Sequence, residues 1–253
     1  MAALPLVDER VGIAILVIAF AGVVKAVTGL GIPVVGTPIL AAVYGDLPLI
    51  VVIMNIPTLL ASGYFVWRTW HGVREAARAL APLVPFGVLG VVLGSRLLVS
   101  VPPQILAGLL ACVIATFVVT SWLRGAPTAD RPTTARVAPL VGFAAGGLQG
   151  SSGASGPLIT MYLLRRPISR DAFFLAANAV FFVYDATQFL TLLSLGQFSA
   201  DRVTVALLAC VPLFTGIALG QVVARRVDDR AFRQAVLALL AVTAVGLAAK
   251  AIG

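Results

Sequence analysis

Of the charged side chains inside otherwise apolar stretches, two stand out, Lys25 and Asp185. Charge within a hydrocarbon environment is costly, and it marks a functional position by default. An ammonium group can hold an anion. A carboxylate can carry a coupling proton, or pair with the ammonium when no substrate is bound. The competing explanations are plain ones. Lys25 could snorkel toward an interface, and Asp185 could be satisfied by nearby hydroxyls or water. Tyr184 and Gln188 lie close to Asp185 in sequence. Asn55 and Asn178 add amides that could bond a substrate or tie helices together.

Lys25 lies three residues before a turn of small residues, Thr28-Gly29-Leu30-Gly31-Ile32-Pro33. A second such turn runs Gly150-Ser151-Ser152-Gly153-Ala154-Ser155-Gly156-Pro157, and Gln149 precedes it. Glycine permits unusual dihedrals and close approach to the backbone. Pro33 and Pro157 suit the first turn of a following helix, where a missing N–H is harmless. The apolar arms after the turns, 33–44 and 157–164, extend roughly 18 and 12 Å at 1.5 Å per residue. Neither crosses a core about 30 Å thick. They read as re-entrant hairpins with helix N-termini aimed at mid-depth, where irregular backbone is tolerated only under protein or beside water. Two N-termini with free N–H donors would favour an anion. The hydroxyls of Thr28, Ser151, Ser152 and Ser155 add donors. The alternative is that both turns are small-residue packing motifs.

The elements that hold these residues follow from composition. The chain has 253 residues, of which 60% are apolar and 11% charged. A soluble domain carries about 45–50% apolar and about 25% charged residues, so an ordinary cytosolic enzyme, a disordered chain and a nucleic-acid module are excluded. Apolar runs fall at 11–27, 33–44, 47–67, 79–99, 104–123, 137–149, 157–164, 172–195, 203–224 and 234–251. With two of the ten too short to cross, about six full spans and two hairpins are expected. Cys112 and Cys210 have no metal spacing and read as small buried apolar residues. No cleavable signal is evident, and no room remains for a separate soluble domain. Arg96 is expected at an interface. Trp67 and Trp70 read as an interface belt beside His71, which has no companion for a metal site.

The connector from Arg124 to Arg136 divides the chain near its middle. At an offset of 124, residues 14–40 match 138–164 at eight of 27 positions, among them Gly22/Gly146, Gly29/Gly153 and Pro33/Pro157. Gly90 and Gly94 match Gly216 and Gly220 at an offset of 126, and Asn55 matches Asn178 at 123. A first repeat over 1–124, a linker over 125–136 and a second repeat over 137–253 are expected. The net charge is +8, and 13 of the 18 basic residues fall in four connectors: Arg68–Arg78, Arg124–Arg136, Arg165–Arg170 and Arg225–Arg233. These connectors should be cytoplasmic, with both termini extracytoplasmic. The repeats would then be inverted, as in many secondary transporters.

The stretch from Gly29 through Gly31 to Pro38-Ile39-Leu40, its partner Gly153 to Pro157, and the late glycine pairs resemble the duplicated signature of the TauE/SafE family, small permeases also called sulfite exporters. The first turn departs from the family's run of three glycines at Ile32 and Pro33. The resemblance implies transport of sulfite, sulfonates, sulfoacetate or similar small organic acids. The expectation is an all-α polytopic membrane protein of two inverted repeats, each a broken hairpin plus three spanning helices. Its anion would sit among Lys25, Thr28, Gly29, Gly31, Asn55, Gln149, Ser151, Ser152, Gly153, Ser155, Gly156 and Asn178. Asp185, Tyr184, Pro33 and Pro157 would serve coupling or gating. Alternating access would move the repeats about the tips. The expected partners are a small anion, a coupling proton or sodium ion, and the bilayer. No nucleic acid, cofactor or metal is called for. The chain has no P-loop, which points to secondary transport. An uncoupled anion channel, a carrier of a non-sulfur organic acid and an intramembrane enzyme are the rivals.

Overall fold

A computed structural model describes residues 9–28, 32–70, 73–123, 137–163, 165–166 and 168–223. Among them every regular element is helical. The linker 125–136, Gly29 and Gly31, His71, the last basic cluster and the apolar run 234–251 lie outside the described residues.

The helices are α1 (Glu9–Thr28), α2 (Gly36–Tyr44), α3 (Leu47–Arg68), α4 (Val73–Leu80), α5 (Val84–Ser100), α6 (Pro103–Leu123), α7 (Ala138–Ser152), α8 (Gly156–Leu163), α9 (Arg170–Ser194) and α10 (Ala200–Val223). A single 3-10 turn, Ile32–Val34, precedes α2. Three stretches among the described residues are long and apolar enough to cross a membrane: Leu47–Arg68, Asp171–Ser194 and Ala200–Val222. Val11–Val27 and Val84–Ser100 form shorter apolar helices. At 9 and 8 residues, α2 and α8 fall well short of the roughly 30 Å core.

Local chemistry sets the element ends. Gly45 closes α2 in the left-handed region at φ 77°, and its N–H donates to the Ala41 carbonyl. Asp46 then caps α3 by accepting from the Leu49 N–H at 2.9 Å. Ser169 caps α9 in the same way, accepting from Ala172. The apolar run 79–99 is not one span. It breaks at Ala81–Leu83 between α4 and α5, because Pro82 and Pro85 cannot continue a helix in progress. α4 lays Ala76, Ala79 and Leu80 inward against α9.

Where helices cross closely, glycines face in and large apolar residues on the opposite side face out. On α5, Phe86, Leu89, Leu93 and Leu97 are exposed, while Gly87, Gly90 and Gly94 are buried. That arrangement suits lipid outside and close helix contact inside. α5 crosses α7, and α1 crosses α10, with backbones touching. A Cβ on Gly90 would sit 2.3 Å from the Phe143 carbonyl oxygen, and one on Gly94 2.3 Å from that of Gly147. In the other crossing, a Cβ on Gly216 would meet the Ala19 oxygen at 1.9 Å, and one on Gly220 the Val23 oxygen at 2.8 Å. Cys112 is exposed on α6 and Cys210 only half-buried, which corrects the expectation that both are buried. Apolar residues facing lipid need no burial in protein. Arg96 is exposed, as are Trp67 and Trp70.

Candidate functional site

The second small-residue turn is shorter than the sequence suggests. Gly150, Ser151 and Ser152 belong to the last turn of α7, so the second tip is Gly153-Ala154-Ser155. Gly153 takes φ +74°, and its N–H closes onto the Gln149 carbonyl at 2.8 Å. Pro157 is the second residue of α8, where its missing N–H donor forfeits no helical hydrogen bond. At the first tip Pro33 lies in the 3-10 turn, three residues before α2 begins, rather than at the start of that helix. The two tips meet: a Cβ on Gly153 would lie 2.9 Å from Pro33 Cβ and 3.8 Å from Thr37 Oγ1. Val24, Val34, Val35 and Ala154 share one buried cluster, so the end of α1 lies with both tips.

Behind the tips is a polar network. Lys25 is 2% exposed. Its Nζ donates to Ser62 Oγ at 3.3 Å and lies 5.6 and 5.2 Å from the ring centres of Phe65 and Phe181. Ser62 Oγ donates to Asp185 Oδ2 at 3.3 Å, and Gln149 Nε2 donates to Asp185 Oδ1 at 2.7 Å. Ser155 Oγ, at the second tip, donates to Gln149 Oε1 at 2.6 Å. An unbroken chain therefore runs from the tip through Gln149, Asp185 and Ser62 to Lys25. Asn55 Nδ2 donates to the Asp185 backbone carbonyl (3.1 Å) and to Gln188 Oε1 (3.2 Å). Gln188 Nε2 donates to the carbonyls of Gln149 (2.9 Å) and Gly150 (3.0 Å). Both amide orientations are fixed, since flipping either would set oxygen against oxygen.

A lysine at mid-membrane costs about 2.5–3.5 kcal/mol on insertion scales. Two aromatic faces recover about 0.5–2 kcal/mol each. An ammonium has three donors, and one acceptor is found for Lys25 among the described residues. Thr37 Oγ1 and Ser95 Oγ are buried with no partner among the described residues, as are Asn55 Oδ1 and Asn178 Oδ1. The spare N–H and O–H groups suit an anion.

Lys25, Asn55, Gln149, Ser155 and Asp185 thus come together, with Gly153, Gly156, Pro33 and Pro157 at the tips. Other candidates are occupied elsewhere. Asn178 donates to the Phe174 carbonyl of its own helix. Ser152 does the same with Leu148. Tyr184 donates to the Gly142 carbonyl at 3.4 Å and lies over Gly87, at the α5–α7 crossing. Ser151 is buried in the last turn of α7. Thr28 ends α1, while Gly29 and Gly31 are outside the described residues. Ser62, Thr58, Thr37 and the rings of Phe65 and Phe181 were not singled out from sequence. A helical signal was present for two of them: Asn55, Thr58 and Ser62 recur at i, i+3 and i+7, one face of α3.

Neither a curated protein nor a solved structure matches the chain significantly. The family model described as sulfite exporter TauE/SafE matches residues 14–247. With nearly the whole length matched and the all-helical, lipid-facing architecture in view, the chain belongs to the sulfite exporter TauE/SafE family of membrane transporters.

Proposed function

We propose that the protein is a secondary transporter that carries a small sulfur oxyanion (sulfite, a sulfonate or sulfoacetate) across the cytoplasmic membrane by alternating access. The anion would bind between the Pro33 and Gly153 tips and against Lys25. The observation that carries this reading is the buried Lys25 ammonium, for which one acceptor is found among the described residues and which Ser62, Asp185 and Gln149 connect to Ser155 at the second of two touching tips. Thr37 Oγ1, beside Gly153 and without a partner among the described residues, adds a donor. Family membership supports the sulfur-anion class.

Two inverted repeats are part of the same reading. The glycine contacts support the duplication. Gly90 on Phe143 answers to Gly216 on Ala19, and Gly94 on Gly147 answers to Gly220 on Val23. Gly146 on Gly87 answers to Gly22 on Leu213. All three correspondences keep the offsets of 124 and 126 found in the sequence. Ser62 and Asp185 stand 123 apart, as Asn55 and Asn178 do. Each half would then contribute one charge, Lys25 opposite Gln149 and Asp185 opposite Ser62. The basic connectors would face the cytoplasm.

Counterflow tests this. Liposomes holding the purified protein and loaded with unlabelled sulfite should transiently concentrate labelled sulfite, whereas a channel would only equilibrate it. Lys25→Ala should weaken sulfite binding by about 1.5–3 kcal/mol, roughly 10- to 150-fold. Unchanged affinity in the folded variant would remove Lys25 from the site.

A further inference from the structure

Lys25 and Asp185 are oppositely charged and both buried. Ser62 Oγ joins them, accepting from one and donating to the other. The remaining groups around Asp185 are uncharged: Asn55, Thr58 and Ser62 from α3, Gln149 from α7 and Gln188 from α9 itself. Elsewhere around α9, Arg78 of α4 and Arg96 of α5 are exposed, and Tyr162 of α8 donates to the Ala79 carbonyl. Among the described residues, Lys25 is the one charge that acts on Asp185.

With both groups ionised the buried region is neutral. A monoanion arriving at Lys25 would leave it with a net negative charge, and an uncompensated buried charge is strongly unfavourable. One change restores neutrality and keeps the ammonium charged: a proton from the aqueous side adds to a carboxylate oxygen of Asp185, forming an O–H bond. The network accommodates that state. The carboxyl can still accept from Gln149 Nε2 and can donate to Ser62 Oγ. Ser62 then turns from donor to acceptor, and its own hydrogen becomes free for the anion.

We propose that Asp185 is a proton-binding site loaded together with the anion, so that one proton travels with each monoanion and the cycle is electroneutral. This rests on the anion site at Lys25 described above.

The test uses the purified full chain in liposomes with ethanesulfonate, the anion of a strong acid, which brings no proton of its own. Exchange of labelled for unlabelled ethanesulfonate at equal pH reports the anion site alone. Net uptake is then driven by an inside-alkaline gradient, with trapped pyranine following internal pH. At one proton per anion, a gradient of about one pH unit should give about tenfold accumulation. The interior should acidify on the same time course, and an imposed potassium diffusion potential should change neither. Asp185→Asn should bring the ratio of gradient-driven uptake to exchange close to unity. The coupling is overturned if the wild-type protein exchanges the probe but its net uptake follows membrane potential and ignores the pH gradient. It is also overturned if Asp185→Asn keeps the full gradient response. Absence of exchange by the wild-type protein would count against the anion site itself, and the coupling would fall with it. The wild-type arms decide the matter if the variant does not fold.

Discussion

Ser62 is a small side chain holding two buried charges in register. Its hydroxyl is the acceptor found for Lys25 among the described residues, and it donates to the Asp185 carboxylate, as Gln149 does. Ser62→Ala should destabilise the protein by about 1–3 kcal/mol, the cost of leaving buried polar groups unsatisfied. Thermal unfolding of the purified protein in detergent measures this, and an unchanged midpoint would mean that the two charges have other partners. Lys25 and Asp185 were visible in the sequence because charge is scarce in apolar segments. Ser62 was not, because serine packs freely in membrane helices and only its register with Asn55 and Thr58 sets it apart. Asn178 shows the converse limit. Its offset from Asn55 suggested an equivalent role, yet its amide bonds its own helix. Sequence offset gives a place in the fold, not a side-chain partner.

At the scale of elements, the short arms were legible from length, since 8 or 9 residues cannot cross the core. The extent of the second turn was not. Gly150, Ser151 and Ser152 look like loop residues but complete α7. Gly150 is small because a Cβ there would sit 2.3 Å from the Val91 carbonyl oxygen of α5. Glycine allows close crossing as well as turning, and composition alone does not separate the two. Adjacent glycines on α7 give a sharp test. A Cβ on Gly146 would lie 2.0 Å from the Gly87 carbonyl oxygen, whereas one on Gly147 meets nothing within 4 Å. Gly146→Ala should therefore cost about 1–3 kcal/mol by overpacking. Gly147→Ala should be neutral, or stabilise by up to about 1 kcal/mol through helix propensity. Equal melting shifts for the two variants would contradict the crossing.

For the whole molecule, Phe86 and the exposed leucines of α5 and the exposed aliphatic residues of α1 and α10 make an apolar exterior. If the basic connectors face the cytoplasm, the orientation can be measured. In a chain with Cys112 and Cys210 replaced by alanine, Pro102→Cys should react with an impermeant maleimide added outside intact cells. Trp70→Cys should react only after permeabilisation, and the reverse pattern would turn the molecule over. The crossings also cut across the order in which the chain is made. α1 is synthesised first, but the face holding Gly22 is covered by α10. At roughly 5–20 residues per second, the stretch of about 170 residues between Thr28 and Ala200 keeps α1 waiting roughly 10–35 s for that partner. Lys25 waits almost as long for Asp185. The nascent chain thus spends its early life in the bilayer with a bare glycine groove and an unmatched charge, and whatever shields them then has to leave before α10 arrives.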